Sequence, residues 1–276
     1  MATVIRPEAP RVGVGDLLRE WRKRRHQSQL ALALEAGVSQ RHLSFVESGR
    51  AQPSREMLMR LAEQLDVPLR ERNRLLNAAG FAPVYPERPL GDPALDAARR
   101  AVDRVLAAHE PYPALAVDRH WTLVTANRAV APLLTGASPA LLAPPVNVLR
   151  LSLHPDGLAP AIVNLAQWHS YLLQRLTREC ELAGDAQLDD LLAELKGYPV
   201  PSRPASRGAS IAHADARVFV PLELETPAGV LSFISTTTVF GTPVDITVAE
   251  LALESFFPAD GSTAEYLRQT LPTAQP

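Results

Sequence analysis

Cysteine is almost missing from this sequence. Its 276 residues hold one, Cys180, which rules out an internal disulfide and fits a reducing cytoplasm. No apolar run approaches the roughly 18 residues that a membrane helix needs. The start, Met1-Ala2-Thr3-Val4-Ile5-Arg6-Pro7, lacks the apolar stretch of a signal peptide. The expectation is a cytoplasmic protein without a membrane partner. Catalytic signatures are lacking as well. The chain has no Gly-x-Ser-x-Gly elbow, no phosphate-binding P-loop and no dinucleotide glycine fingerprint. Its histidines (His26, His42, His109, His120, His154, His169 and His213) never stand at metal-ligand spacing with one another or with Cys180. Asp185, Asp189 and Asp190 read as a capped, solvated helix start rather than as paired carboxylates. Cys180 reads as a small buried apolar residue rather than a nucleophile or haem ligand. These absences argue against an enzyme, and no catalytic residue, metal or cofactor is expected.

What the chain does have is proline, 25 residues of it, placed as punctuation between elements, and 46% hydrophobic residues, enough for two cores. Its net charge of −2 hides an asymmetry. Residues 1–80 hold 14 Arg and Lys against 9 Asp and Glu, a net +5, so the remainder carries −7. A basic first third joined to an acidic remainder is the pattern expected when one domain meets DNA.

Read along its length, the chain divides into a disordered basic arm (1–12), a helical domain (13–80) and a stiff proline-rich linker (81–94). A second domain (95–267) and a tail (268–276) follow. The helical domain reads as five short helices. In the second domain the expected helices are 96–109, 127–134, 160–180, 187–195 and 248–257. The expected strands are 115–118, 121–125, 219–224 and 230–239, the last two around the Ala228-Gly229 turn, with loops up to Asn147 and over 199–210. No repeat is evident, so the second domain is α+β.

The block from Ser28 to Gly49 is the most informative. Ser28 and Ser39 can each cap a helix with a hydroxyl. Gly37 stands where the chain must leave the first helix, in a conformation cheap only for glycine. Ala33 is small where two helices cross, and Leu32, Val38, Leu43 and Val46 supply apolar faces. This is a helix-turn-helix, and it aims the segment 40–48 outward as a recognition helix. Gln40 can read adenine, Arg41 guanine and Phe45 a thymine methyl, with Ser44 beside them. Gln29, Arg50 and Ser54 are placed for phosphates. The alternative is a helical hairpin with an ordinary polar face and no DNA role. The segment closely resembles the Xre-type repressor family over about 65 residues. That resemblance implies Gln29 on the DNA backbone, Gln40, Arg41, Ser44 and Phe45 at base edges, and dimers on pseudo-palindromic double-stranded operators. It also suggests a buried ion pair between Arg22 and Glu47, favoured because a carboxylate at a helix C-terminus is otherwise in an unfavourable field.

In the second domain, apolar material with a few embedded polar groups stands out. Trp121, Trp168, Tyr171, Phe219, Phe233 and Phe240 are large enough to line a pocket, and Asn127, Arg150, Asn164 and His169 are candidate polar anchors. Core packing for the aromatics, and capping or internal hydrogen bonding for the polar residues, are open alternatives. For an anionic head group, Arg150 is the preferred cation among Arg128, Arg150 and Arg175. The segment from Asp118 to Ala129 resembles the opening of PAS-like sensor domains.

Six segments together make the chain similar to the MmyB-like regulator family from residue 15 to about 265. They are Gln40 through Arg50, Asp118-Arg119-His120-Trp121, Asn147 through Pro155, Asn164-Leu165-Ala166-Gln167-Trp168, Phe240-Gly241-Thr242-Pro243 and Phe256-Phe257-Pro258-Ala259-Asp260. The resemblance implies an all-α, five-helix, lambda-repressor-like helix-turn-helix domain followed by an α+β PAS-like ligand-binding domain, with fatty-acid-like molecules as the ligand class. The expectation is a homodimeric DNA-binding regulator, a repressor, controlled by a small apolar ligand. A second domain serving only dimerisation or a partner, a haem or flavin sensor, and an enzyme tethered to DNA are the competing readings.

Overall fold

The computed structural model describes residues 13–200 and 219–270. The expected arm (1–12), residues 201–210 of the second loop and residues 271–276 of the tail lie outside them. The chain forms two compact units that divide after Glu87, with Val244–Ile246 belonging to the first. The linker expected over 81–94 therefore straddles the division. Its first part is tied to the helical unit: Asn73 accepts from the N–H groups of Val84 and Tyr85 and donates to the Tyr85 carbonyl at 2.7 Å.

The helical unit holds α1 (Val14–Arg24), α2 (Gln29–Glu35), α3 (Gln40–Glu47), α4 (Arg55–Gln64) and α5 (Leu69–Ala78). Serine hydroxyls start three of them. Ser28, Ser39 and Ser54 accept from the N–H groups of Ala31, His42 and Met57, supplying partners for donors that a helix start leaves over. Gly37 leaves α2 at φ +64°, the left-handed conformation that its position demands. Leu18, Trp21, Leu32, Ala33, Leu43, Val46, Leu58, Leu61, Leu65, Leu75 and Leu76 form one buried core. Truncating one of these leucines costs about 2–5 kcal/mol. A glycine missed by sequence reading sets the crossing of α1 and α3. A Cβ on Gly15 would lie 2.2 Å from the Val46 carbonyl oxygen, so no side chain fits there.

The second unit holds α6 (Asp96–Ala108), β1 (Ala114–Val117), β2 (Leu123–Ala126), α7 (Pro139–Leu142), α8 (Val148–Leu153), α9 (Leu165–Ala183), α10 (Ala186–Lys196), β3 (Leu222–Thr226) and β4 (Gly229–Val239). The single turn α11 (Ile246–Ala249), whose first residue is counted with the helical unit, the strand β5 (Ala252–Pro258) and α12 (Gly261–Thr270) follow. The strands make one antiparallel sheet in the order β2-β1-β5-β4-β3. On one face, Val102 and Leu106 of α6 pack on Ala114, Ala116 and Leu253. The opposite face carries Leu115, Leu222, Leu224, Leu231 and Phe233, and these cluster with Trp168, Leu172 and Leu176 of α9. The α+β class expected from the sequence is what the second unit adopts.

Three element assignments change. Residues 248–257, expected as a helix, hold the strand β5, which sits between β1 and β4. A strand in the middle of a sheet is buried on both faces, and with Leu253, Glu254 and Ser255 all buried in a row this one shows no two-residue alternation that separates it from a helix. Residues 127–134 give a turn and a short 3-10 segment (Ala131–Leu134), because Pro132 offers no N–H and Asn127 spends its side chain on backbone. The helix expected from Pro160 starts at Leu165, after Asn164 has bonded to β3. None of α7, α8 and α12 was anticipated, α7 falling within the loop expected up to Asn147.

Candidate nucleic-acid interface and ligand cavity

Along α3 the exposed residues are Gln40, Arg41 and His42 in the first turn, with Ser44 and Phe45 half-buried on the next. The Arg41 guanidinium lies over the Phe45 ring, 5.4 Å from its centroid, which restrains a long side chain without burying its charge. Arg50 and Ser54 are exposed beyond the end of α3.

Behind this polar face, α3 is anchored by a charge taken out of water. Glu47, its side chain 1% exposed, accepts from Arg22 Nε at 2.6 Å and Nη2 at 2.8 Å. Arg19 donates to the Glu47 carbonyl. Burial pushes the Glu47 carboxyl upward, but the hydrogen bonds of Arg22 and Gln29 outweigh it and hold the carboxyl below its ordinary range. The ion pair between Arg22 and Glu47 is therefore present. Gln29, expected at a phosphate, has its Nε2 on Glu47 Oε2 at 2.8 Å. That amide ties α2 to α3.

In the second unit a cavity of about 120 Å³ opens between the sheet and the helices α8 and α9. Its wall is almost wholly apolar, with Leu115, Leu123, Val130, Leu149, Leu151, Leu172, Leu222, Leu224 and Phe256 among its members. Of the residues proposed from sequence, Trp121, Trp168 and Phe233 line it. The other seven do not, Tyr171 and Phe240 among them, both half-buried outside the lining. Asn127 is buried and bonds to backbone at Ala114, Leu106 and Tyr112. Asn164 clamps β3 through Pro221 and Glu223, and His169 meets the Leu195 carbonyl. Arg150 pairs with Glu194 at 2.7–2.9 Å, away from the cavity. Phe219 is half-buried outside the lining.

The cation at the cavity is Arg175. Its Nη1 and Nη2 reach Glu254 at 3.1 and 2.7 Å, its Nε reaches Glu179 at 3.1 Å, and its guanidinium covers the Trp121 ring at 4.4 Å. Glu254, its side chain 5% exposed, also accepts from Thr237, while Trp121 donates its indole N–H to Glu179 at 2.7 Å. Burial works against the Arg175 charge. Glu254 and Glu179 more than restore it, so its pKa ends above the ordinary arginine value. A signal for Arg175 existed in the sequence: Trp168, Leu172, Arg175 and Leu176 share one helical stripe, so a charge there faces the core.

Four of the sequence segments quoted above contribute to this cavity, through Trp121, Leu149, Trp168 and Phe256. Asp118 accepts from the N–H groups of His120 and Thr122, a tight turn that leaves Trp121 at φ +64°. A bulky residue held there costs on the order of 1–3 kcal/mol. Asn147 caps α8 through Leu149 and Arg150 and donates to the His120 carbonyl at 2.8 Å, joining two of those segments. Asp260 caps α12 at Thr263. Asp185 starts α10 by accepting from Gln187, as expected of a cap, while Asp189 and Asp190 are exposed. Cys180 is buried, and burial, with Asp189 nearby, pushes its thiol up to about 11, far from a thiolate at neutral pH.

No helix of the described residues is long and apolar enough to cross a membrane, and no group of three His, Cys, Asp or Glu among them could hold a metal. A family model described as the MmyB-like transcription regulator ligand binding domain matches residues 98–269, and one described as helix-turn-helix matches residues 18–72. A relative from Methanoculleus marisnigri, which bears the assigned name of HTH-type transcriptional regulatory protein, is 38% identical over 117 residues. The match covers 41% of this chain and 37% of that relative, so the chain spans well under half of the relative's length. With a sheet domain matched over more than half of its residues and a helix-turn-helix before it, the chain belongs to the family of MmyB-like transcription regulators.

Proposed function

We propose that this protein is a sequence-specific, DNA-binding transcriptional repressor that works as a homodimer and is controlled by a small apolar molecule held in the cavity of its second unit. One observation carries the reading: the residues with the most specialised surroundings converge on an outward-facing polar helix and on an apolar void. Gln40, Arg41, Ser44 and Phe45 would meet base edges from α3, with Arg50 and Ser54 near phosphates. A pseudo-palindromic operator would place two copies of α3 about one helical turn of DNA apart.

The cavity supports the regulatory half. An apolar void of about 120 Å³ is in the size class that stays dry and accepts a benzene-sized guest. A fatty-acid-like molecule, the class suggested by family resemblance, would present the right kind of surface with its chain, and a long chain would need the cavity to widen. Such a guest can alter operator affinity only by binding the DNA-competent and incompetent forms unequally.

The test is selection of bound duplexes from a random library, followed by anisotropy titration at fixed salt with competitor DNA, with and without aliphatic guests. Enrichment of an inverted repeat whose affinity shifts with a guest is the expected result. Enrichment with no response to any guest would sink the ligand half, and no enrichment from a folded protein would sink the DNA half. A reporter gene behind the selected operator tests the sign, with rising expression on deletion of the regulator expected of a repressor.

A further inference from the structure

We infer that the cavity is built for a neutral guest, an alkyl or acyl chain ending in an uncharged hydrogen-bonding group such as an alcohol, ester or amide, and that it discriminates against a free carboxylate. This rests on the reading of the cavity as a ligand site and adds the chemical class of its guest.

Four polar side chains reach the lining: Ser152, Arg175, Ser235 and Glu254. Arg175 is the one cation among them, and it is spent. Each of its three side-chain nitrogens already faces a carboxylate, two on Glu254 and one on Glu179, and Trp121 covers its face. The cluster holds one positive and two negative groups, so a guest carboxylate would arrive as a third anion in an apolar wall. It would have to shed its water there without a free cation to receive it. Displacing Glu254 would leave that carboxylate buried and unpaired, which is no better.

The hydroxyls offer what a neutral head group needs. Ser152 accepts from the Trp168 indole N–H at 3.0 Å, which leaves its own proton to donate into the cavity. The Ser235 hydroxyl makes no hydrogen bond among the described residues, although it lines the void on the same strand face as Phe233. A carbonyl or hydroxyl oxygen on the guest would satisfy either, and a few well-placed polar groups in an apolar wall are how such sites choose orientation.

The test uses the full chain, stripped of bound lipid, and a matched series at neutral pH: octanol, methyl octanoate and octanamide against octanoate, repeated at hexyl and decyl length. Calorimetry gives the affinities, and tryptophan emission reports occupancy, because Trp121 and Trp168 both line the cavity. The neutral members are expected to bind at least about tenfold more tightly than the acid of the same length. Glu254→Gln, which would release Arg175 from its counter-charge, should shift the acid-to-alcohol affinity ratio toward the acid by about tenfold. Should that variant fail to fold by circular dichroism, Ser235→Ala replaces it and should narrow the neutral preference. Tighter binding of the acid by the unaltered chain would overturn the inference and leave the ligand site standing. No binding by any member at any length would remove the ligand site and the inference together.

Discussion

Each unit of this molecule buries an arginine against a glutamate in two-point contact, and the two pairs are put to opposite ends. Around Glu47 every neighbour is protein: Arg22 and Gln29 close on its carboxylate and Arg19 on its carbonyl, so three helices meet at one satisfied charge. Around Glu254 the same chemistry borders a void. The first arrangement fixes the pose of a helix whose outer face must be presented without wobble. The second keeps a polar pole in a wall that is otherwise hydrocarbon. Burial of an ion pair is thus not in itself a stabilising device; what adjoins it decides its use.

That contrast can be broken most severely at the joint. Glu47→Ala strands Arg22 and should cost about 3–5 kcal/mol, read as a shifted urea midpoint together with loss of operator binding. At the cavity, replacing both partners, Arg175→Met with Glu254→Leu, should leave stability unchanged or raise it by about 1–4 kcal/mol, because neither charge of the pair is left behind and Glu179, about one-third exposed, keeps the Trp121 indole N–H. A melting temperature that falls sharply would show that the pair is a structural joint after all. Arg41→Ala should leave the fold intact and weaken operator binding by about 1–3 kcal/mol with relaxed base preference. Equal weakening on all duplexes would make Arg41 a phosphate contact. Acid should have the smallest effect. The Glu47 carboxyl is held below its ordinary range, so its contribution is complete above the usual glutamate value of about 4.3 and is lost as pH falls through the lowered value. Urea midpoints of the parent and Glu47→Gln should therefore converge on acidification; a constant gap would contradict the assignment.

The helical unit was legible in the sequence because its signals are local. A serine cap, a glycine exit and an apolar stripe each act within one turn of the chain, and Ser28, Ser39 and Gly37 are found where those rules put them. Long-range packing was not legible: nothing near Gly15 announces the Val46 carbonyl against which it rests. The sheet unit was legible at the level of class and of its large aromatics, three of which line the cavity. Its polar residues were misjudged for a shared reason. Asn127, Asn164 and His169 bond to backbone in distant segments, and whether an amide faces a guest or a carbonyl depends on what the fold brings opposite. Arg175 was undervalued beside Arg150 because its place in the apolar stripe of Trp168, Leu172 and Leu176 was not weighed. β5 was misread because its two polar residues, Glu254 and Ser255, are consecutive and face opposite ways, which leaves no alternation to reveal its period.

The position of β5 also orders events in time. β1 hydrogen-bonds to β5 across more than a hundred intervening residues, so the centre of the sheet closes only after that late strand has emerged during synthesis. The helical unit draws its core almost wholly from neighbours in sequence and can be complete long before then. On a ribosome, the outward-facing helix would be finished while the cavity still lacked the strand that supplies Glu254 and Phe256. A newly made chain would in that interval possess its reading surface and have no means of answering a guest.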